Sequence, residues 1–271
     1  MPVTTRDKRA TFRKMHASGC FAIPNPYDVG SALALQHMGF KALASTSAGF
    51  AWSIGKADYR VTLDEVCQHL TALCAAVDLP VNADFEAGFA HEAEKVAANV
   101  ARAVKTGVAG LSIEDSTGDT AKPLYERAHA IERIKAARKA IDADASGVLL
   151  TGRCEAFLVG QADLDLVIDR LKAYSEAGAD CLYAPGIKTK DEIAAVVKAV
   201  HPKPVNLLIG ASGLSISEAA DLGVRRISVG GSLARMAWAG FMKAAREIAD
   251  KGTFTELGNG YPGGELNKMF R

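Results

Sequence analysis

Two short stretches hold most of the side chains with which this chain could do chemistry: Val81-Asn82-Ala83-Asp84-Phe85-Glu86-Ala87-Gly88 and Leu111-Ser112-Ile113-Glu114-Asp115-Ser116. Each is an apolar run that closes in polar residues, and both closures are acidic. In an extended strand alternate side chains share a face, so Asn82, Asp84 and Glu86 are expected on one side. A neighbouring strand then brings Glu114 alongside. Carboxylates crowded together repel unless something positive sits between them, and a hard divalent cation with oxygen ligands is the natural guest. Singly, Asp84 or Glu114 could equally cap a βα turn or pair with Arg153. As a set at adjacent strand ends they favour a metal site, because unpaired clustered charge is costly.

Arg153 closes another apolar run, and it has two readings. One is an ion pair with Glu114 or Glu155; the other is a fork that grips a substrate carboxylate through two hydrogen bonds. Cys154 follows it with no evident base, which makes it a packing thiol rather than a nucleophile. His16, His37, His69, His91, His129 and His201 fall in expected helices or outer loops, away from any common zinc spacing. Gly210 to Gly213 and Gly230-Gly231 could form a phosphate cradle, although tight βα turns favour glycine in any case.

Eight apolar runs recur along the chain, and helical patterns lie between them. The runs are Cys20–Ile23, Lys41–Ala44, Pro80–Phe85, Ala109–Ile113, Gly147–Thr151, Asp180–Tyr183, Pro204–Ile209 and Arg226–Val229. Crossover units of roughly 25 to 40 residues suit a strand and a returning helix. Eight of them predict a (β/α)8 TIM barrel, with an open doubly wound sheet as runner-up. A barrel places its site at the carboxyl ends of its strands. That selects Asn25, Ser45, Ser47, Asn82, Asp84, Glu86, Glu114, Asp115, Arg153, Glu155, Asn206 and Ser232. The stretch between Gly49 and Arg60 is expected as a long loop. The chain is expected to be one domain over 1–271, with 252–271 as a C-terminal extension.

Composition narrows the class. Lys plus Arg total 32 against 31 for Asp plus Glu, so no basic surplus points to nucleic acid. No apolar stretch is long enough to span a bilayer, and the first fourteen residues are polar, unlike a signal peptide. The 5 cysteines are scattered and odd in number, which suits reduced thiols in a cytoplasmic protein.

From about Phe21 to Ala237 the chain resembles the isocitrate lyase/phosphoenolpyruvate mutase superfamily. The resemblance rests on Ser45-Thr46-Ser47, Gly55-Lys56-Ala57-Asp58, the stretch from Asn82 to Gly88, Ile113-Glu114-Asp115, Gly152-Arg153 and Pro204-Val205-Asn206. It implies a Mg2+-dependent enzyme, with Mn2+ as a substitute, that makes or breaks C–C or P–C bonds next to a 2-oxo acid. It assigns Asp84 as the main metal-side carboxylate, with Asp58, Glu114 and Asn82 or Glu86 holding metal-bound water. Ser45, Thr46, Ser47 and Arg153 would hold the 2-oxo carboxylate, with Asn206 on the substrate side; Asp58, Ser47 and Arg153 are the catalytic candidates. It also implies a homodimer or homotetramer, in which C-terminal helices could be exchanged between subunits.

Two departures from the family pattern shape the functional expectation. The Asp-x-Asp metal motif reads Asn82-x-Asp84, with Glu86 added. The loop after the fourth strand, Ser116 to Pro123, lacks the Lys-Lys-Cys-Gly-His motif that supplies the acid in true isocitrate and methylisocitrate lyases. The expected activity is therefore Mg2+-dependent cleavage of a small 2-oxo acid through an enolate, with decarboxylation of oxaloacetate type favoured. Alternatives are hydrolysis or rearrangement of phosphonopyruvate, and a noncatalytic barrel that binds a 2-oxo acid or phosphate.

Overall fold

Apolar residues with few breaks, as in Val148-Leu149-Leu150, suit strands that are covered on both faces. The chain builds such strands eight times. The computed structural model describes residues 3–210 and 213–270. Its strands are β1 Phe21–Ala22, β2 Leu43–Ala44, β3 Val81–Asp84, β4 Gly110–Glu114, β5 Leu149–Arg153, β6 Cys181–Tyr183, β7 Val205–Leu208 and β8 Arg226–Ser228. All pairings are parallel, in the order β1-β8-β7-β6-β5-β4-β3-β2. The remaining seam, between β1 and β2, is bridged just past the end of β1: Ala44 N–H donates to the Pro24 carbonyl at 3.1 Å. The fold is the expected TIM barrel.

Helices return the chain between strands: α2 Val29–His37, α4 Leu63–Ala76, α5 Ala93–Lys105, α6 Arg127–Ala143, α7 Leu164–Glu176, α8 Lys190–Val200 and α9 Ile216–Asp221. Several begin where the sequence supplies a cap. Asp28, Thr62, Thr189 and Ser215 each accept a backbone N–H three residues on, and the residue there bonds back to the cap. Two helices escaped the sequence reading. One is α3 Ser47–Ser53, inside the stretch expected as loop, which is capped by Thr46. The other is α1 Thr5–Met15, hidden in a polar N-terminus because it presents a narrow apolar edge.

That edge matters. Phe12 is fully buried and packs with Ile23, Ala42, Ala44, Ala109 and Leu149 to plug the barrel from below. Around the plug, cationic side chains of α1 cap exposed carbonyls on the barrel's underside. Lys8 Nζ donates to Cys74 O at 2.8 Å, Arg9 Nε to Val108 O at 2.9 Å and Arg13 Nη2 to Gly147 O at 3.1 Å. Carbonyls at helix C-termini lack partners of their own, and positive charge suits that end. Gly110 leaves the required room: a Cβ there would meet Phe12 Cε1 at 2.8 Å and Asn82 Oδ1 at 2.6 Å.

The last long helix, α10 Ser232–Lys251, behaves differently. Among its 20 residues only Ala234 is buried. Met236 is 70% exposed and Phe241 62% exposed, so this helix does not lay its apolar face on its own barrel. A 3-10 turn at Thr255–Asn259 packs against it, and α11 Gly263–Met269 follows. Among the described residues no helix is long and apolar enough to cross a membrane.

Because Phe12 fills the floor with no exposed surface, Phe12→Ala is expected to cost about 3–5 kcal/mol of stability. Urea denaturation followed by circular dichroism measures this. A loss under about 1 kcal/mol would show that the plug is dispensable.

Candidate active site

Three strands end in charge, and their register sets the charges side by side. Asp84 is the last residue of β3, Glu114 of β4 and Arg153 of β5, and Glu114 pairs with Arg153 across the sheet. Arg153 Nη1 lies 3.0 Å from Asp84 Oδ1 and 3.3 Å from Glu114 Oε2, while Nε lies 2.5 Å from Glu155 Oε1. The guanidinium also stands 5.3 Å from the centre of the Tyr183 ring. So the ion-pair reading of Arg153 describes its Nη1 and Nε. Its Nη2 has no protein partner among the described residues, and Arg153 lines the cavity at the barrel mouth. One side of the fork is left for a ligand.

One guanidinium cannot neutralise three carboxylates. Burial works to loosen the Arg153 proton, but Glu155, Glu114 and Asp84 outweigh it and hold the proton more firmly than usual. Burial pushes the Glu114 carboxyl well above the ordinary range, against the pull of Arg153. The Tyr59 hydroxyl donates to Glu114 Oε1 at 2.9 Å, tying the segment after α3 to the end of β4. Nothing in the sequence marked Tyr59, whose residue is 48% exposed although its hydroxyl reaches inward.

The Ser45-Thr46-Ser47 turn holds Asp84 from the other side. Ser45 Oγ accepts the Asp84 N–H at 2.9 Å, and Asp84 Oδ2 accepts the Ser47 N–H at 3.0 Å. Thr46 spends its hydroxyl on the cap of α3, accepting from Gly49 N at 3.3 Å. Asp58 stands in the same wall. Burial, and then the Asp84 charge, raise its pKa, with hydrogen bonds from Tyr59 N–H and the Ser47 side chain opposing.

Glu86 does not continue the strand alternation expected of it. β3 stops at Asp84, and Glu86 has left-handed backbone at φ 46°. Its Oε1 is buried with no hydrogen-bond partner among the described residues. Burial, then the charges of Asp84 and Asp58, push the Glu86 carboxyl up to about 8. Asn82 also departs from its expected company. It lies a layer deeper, where its Oδ1 is 3.3 Å from Arg226 Nη1.

Arg226 is the largest feature that sequence reasoning missed. It is 2% exposed and reaches Asn206 Oδ1 at 2.8 Å, Thr151 Oγ1 at 3.1 Å and His16 Nε2 at 3.3 Å. Burial, then the charge of Arg226, lower His16 to about 3, so the imidazole is neutral there. All of these partners are uncharged, which leaves a buried cation beneath the acid cluster. An arginine opening an apolar run, as in Arg226-Ile227-Ser228, was the available signal. Asn206 is thus a partner of Arg226 as well as a residue of the cavity wall.

Other expected mouth residues have structural partners. Asp115 is buried under Tyr174 Oη at 2.6 Å and Arg170 Nη1 at 3.1 Å. Asn25 closes the seam, donating to Ser45 O at 2.8 Å and accepting from Val229 N at 2.8 Å and Gly230 N at 2.9 Å. Cys154 is buried and its thiol is pushed far up by burial, as suits packing. The suggested glycine cradle at 210–213 falls partly outside the described residues, whereas Gly230 and Gly231 line the cavity.

The cavity is about 180 Å³ and is walled by Ser45, Thr46, Ser47, Asp58, Asn82, Asp84, Arg153, Asn206 and Arg226 among others; Glu86 and Glu114 do not line it. Among the described residues no three His, Cys, Asp or Glu side chains are close enough to ligate one ion directly. Mg2+ needs no such cluster, since it keeps several waters and takes one or two carboxylates. The orphaned Glu86 oxygen and the raised Asp58 mark the side on which positive charge is missing.

A parallel eight-stranded barrel with acids and an arginine gathered at the carboxyl ends of its strands is the architecture of a barrel enzyme. The family model for phosphoenolpyruvate phosphomutase matches residues 12–249. The chain belongs to that family, and with it to the isocitrate lyase/phosphoenolpyruvate mutase superfamily, whose members are lyases or mutases. An uncharacterized protein of Mycobacterium tuberculosis (strain ATCC 25618 / H37Rv) is 32% identical over 242 residues, 89% of each chain. Oxaloacetate decarboxylase of Rhodopseudomonas palustris (strain BisB5) is 28% identical over 237 residues, 83% of this chain and 78% of that one. A Burkholderia cenocepacia J2315 structure, provisionally a lyase/mutase, superposes with TM-score 0.95 at 47% identity, covering 98% of this chain and 97% of that one. Oxaloacetate acetylhydrolase in complex with oxalate superposes with TM-score 0.86 at 25% identity, covering 99% and 94%.

The Glu86 pKa of about 8 lies above its ordinary 4.5. A raised carboxyl stabilises the fold fully below the unfolded value and loses that contribution as pH rises through the folded value. Metal-free protein is therefore expected to lose Tm between about pH 5 and about pH 8, and added Mg2+ to restore most at the upper end. Glu86→Gln should flatten the loss. Scanning calorimetry reads all three, and a Tm that climbs across the window would contradict the assignment.

Proposed function

We propose that the protein is a Mg2+-dependent lyase that cleaves a C–C bond in a small 2-oxo acid, with decarboxylation of oxaloacetate type as its reaction. The observation that carries this is the cavity wall around Arg153. Its Nη2 is unengaged among the described residues, while Asp84, Glu114 and Glu155 contact its other nitrogens and Asp58 stands in the same wall, so the acids outnumber the guanidinium. Mg2+, or Mn2+ in its place, would be held by Asp84 with Asp58, Glu86 and Glu114 around it, and would supply positive charge for the oxygen of the developing enolate.

The chain's own residues do the rest. The free side of Arg153 binds the 2-oxo carboxylate and fixes its plane, since a guanidinium is a rigid fork. Ser45 and Ser47 hold Asp84 in register, so it stays in contact with Arg153 Nη1 while Nη2 is left to the ligand. With the substrate so oriented, the bond from C3 to the departing carboxylate breaks, its electron pair enters the enolate, and carbon dioxide leaves. A proton returns to C3. Among the described lining residues there is no cysteine or histidine to supply it. The cavity, below the roughly 300 Å³ at which pockets for larger ligands begin, suits an acid of this size. The similarity to an oxaloacetate decarboxylase over 83% of this chain supports the same choice.

P–C chemistry on phosphonopyruvate is the second reading, and one observation favours it: Asp58 is in the wall with a raised pKa, placed to meet a transferred group. The exposed apolar face of α10 supports a further proposal, that the protein is a homodimer or homotetramer with a second copy covering Met236 and Phe241. Sedimentation equilibrium is expected to give a multiple of 28.5 kDa; a monomer at micromolar concentration would refute that proposal.

Incubation with Mg2+ and a panel of oxaloacetate and substituted 2-oxo diacids is expected to yield pyruvate-type product above the metal-only rate. Asp84→Ala and Arg153→Met should each lower kcat/KM by about 10²–10³. Phosphate release from phosphonopyruvate, lost in Asp58→Ala, would move the assignment to P–C chemistry. No turnover of any of these acids would overturn both.

A further inference from the structure

Beside the catalytic cavity lies a larger one of about 640 Å³. The two share Ala48, Asp58, Leu208, Gly230 and Gly231, so they are neighbouring chambers of one mouth. Their characters differ. The first is walled by acids, amides, hydroxyls and two arginines. The second is walled mainly by Trp52, Leu158, Ile187, Ile193, Leu207 and Ile209. Its charged lining is Asp58, on the shared wall, together with Lys188 and Arg235, which are both exposed.

The partition between the chambers is thin. It runs through Gly230-Gly231, and a Cβ on Gly231 would come within 3.3 Å of Trp52 Cζ3. A glycine there lets the indole close against the backbone. Leu158, 52% exposed, stands on the far side with its side chain free of the core.

A 2-oxo diacid as small as oxaloacetate occupies the polar chamber and leaves the apolar one to water. Apolar surface held against water is stabilised only when apolar atoms cover it. We propose that the substrate of this enzyme is a 2-oxo acid with an alkyl or aryl substituent on the carbon next to the oxo group, and that the substituent occupies the apolar chamber. This rests on the lyase reading above and names the substrate class within it. The exposed Lys188 and Arg235 add positive charge at the rim, which favours entry of an anionic substrate without specifying its apolar part.

Oxamate and its N-alkyl derivatives test this, since they present the carboxylate and oxo group of the substrate, place nitrogen where C3 would be with the chain as its substituent, and do not react. With Mg2+ present, calorimetry is expected to show affinity rising roughly fourfold per methylene from N-methyl to N-butyl oxamate. Leu158→Trp, which fills the chamber from its exposed edge, should abolish that rise and leave binding of oxamate itself unchanged. 3-Alkyl oxaloacetates should likewise exceed oxaloacetate in kcat/KM. Affinity independent of chain length, or a rise that persists in Leu158→Trp, would overturn the inference and leave the lyase reading standing. No binding of oxamate and no turnover of any 2-oxo acid would instead remove the lyase reading itself.

Discussion

A single guanidinium among three carboxylates organises the mouth of this barrel. Arg153 joins the ends of β3, β4 and β5 by contacting Asp84, Glu114 and Glu155. Removing Arg153 would leave buried carboxylates uncompensated, which is far costlier than an exposed ion pair is helpful. Yet the group is not neutral. The acids outnumber the arginine, and the deficit surfaces at Glu86 and Asp58, whose pKa values are raised by burial and then by the Asp84 charge. The same arithmetic that makes the apoprotein uneasy prepares it for a cation and an anionic ligand together.

Much of the surrounding structure keeps this arrangement from relaxing. Ser45 and Ser47 fix Asp84 through backbone bonds, and Tyr59 fixes Glu114. Asn25 joins β1, β2 and β8 where the barrel would otherwise open. Beneath the acids lies a second polar layer around Arg226, all of whose hydrogen-bond partners are neutral. Burying a cation with no counter-ion is expensive, and these hydrogen bonds offset part of that cost. Below both, α1 seals the barrel with Phe12.

The upper rim is built for variation. The polar chamber is small and close to fully specified by strand ends, whereas its apolar neighbour is lined by residues of several loops and α3. Chemistry set by strands and ligand shape set by loops is the usual division of labour in barrels of this type. The helix α10 enters that division only at its start, where Ser232 and Arg235 line the apolar chamber. Its exposed Met236 and Phe241 line neither chamber.

The sequence by itself determined the barrel, because eight apolar runs with intervening helices and local caps are short-range signals that the fold has only to satisfy. It also determined most residues of the mouth, since the end of each run is a strand end, and Asp58, Asp84, Arg153 and Ser45 to Ser47 do share one cavity. Tertiary structure alone decided the layering and partnerships. Strand alternation put Asn82, Asp84 and Glu86 together; in space Asn82 drops to the level of Arg226, and Glu86 turns away because the strand stops at Asp84. The roles of Arg226 and Tyr59 escaped because their partners are 20 to 210 residues distant, and 55 residues distant, along the chain. The plug helix was equally hidden, since an amphipathic segment with one narrow apolar edge looks like a polar tail until the hole it fills exists. Local order is written in near neighbours, whereas the electrostatics of a buried site are a sum over groups that only folding brings within a few ångströms.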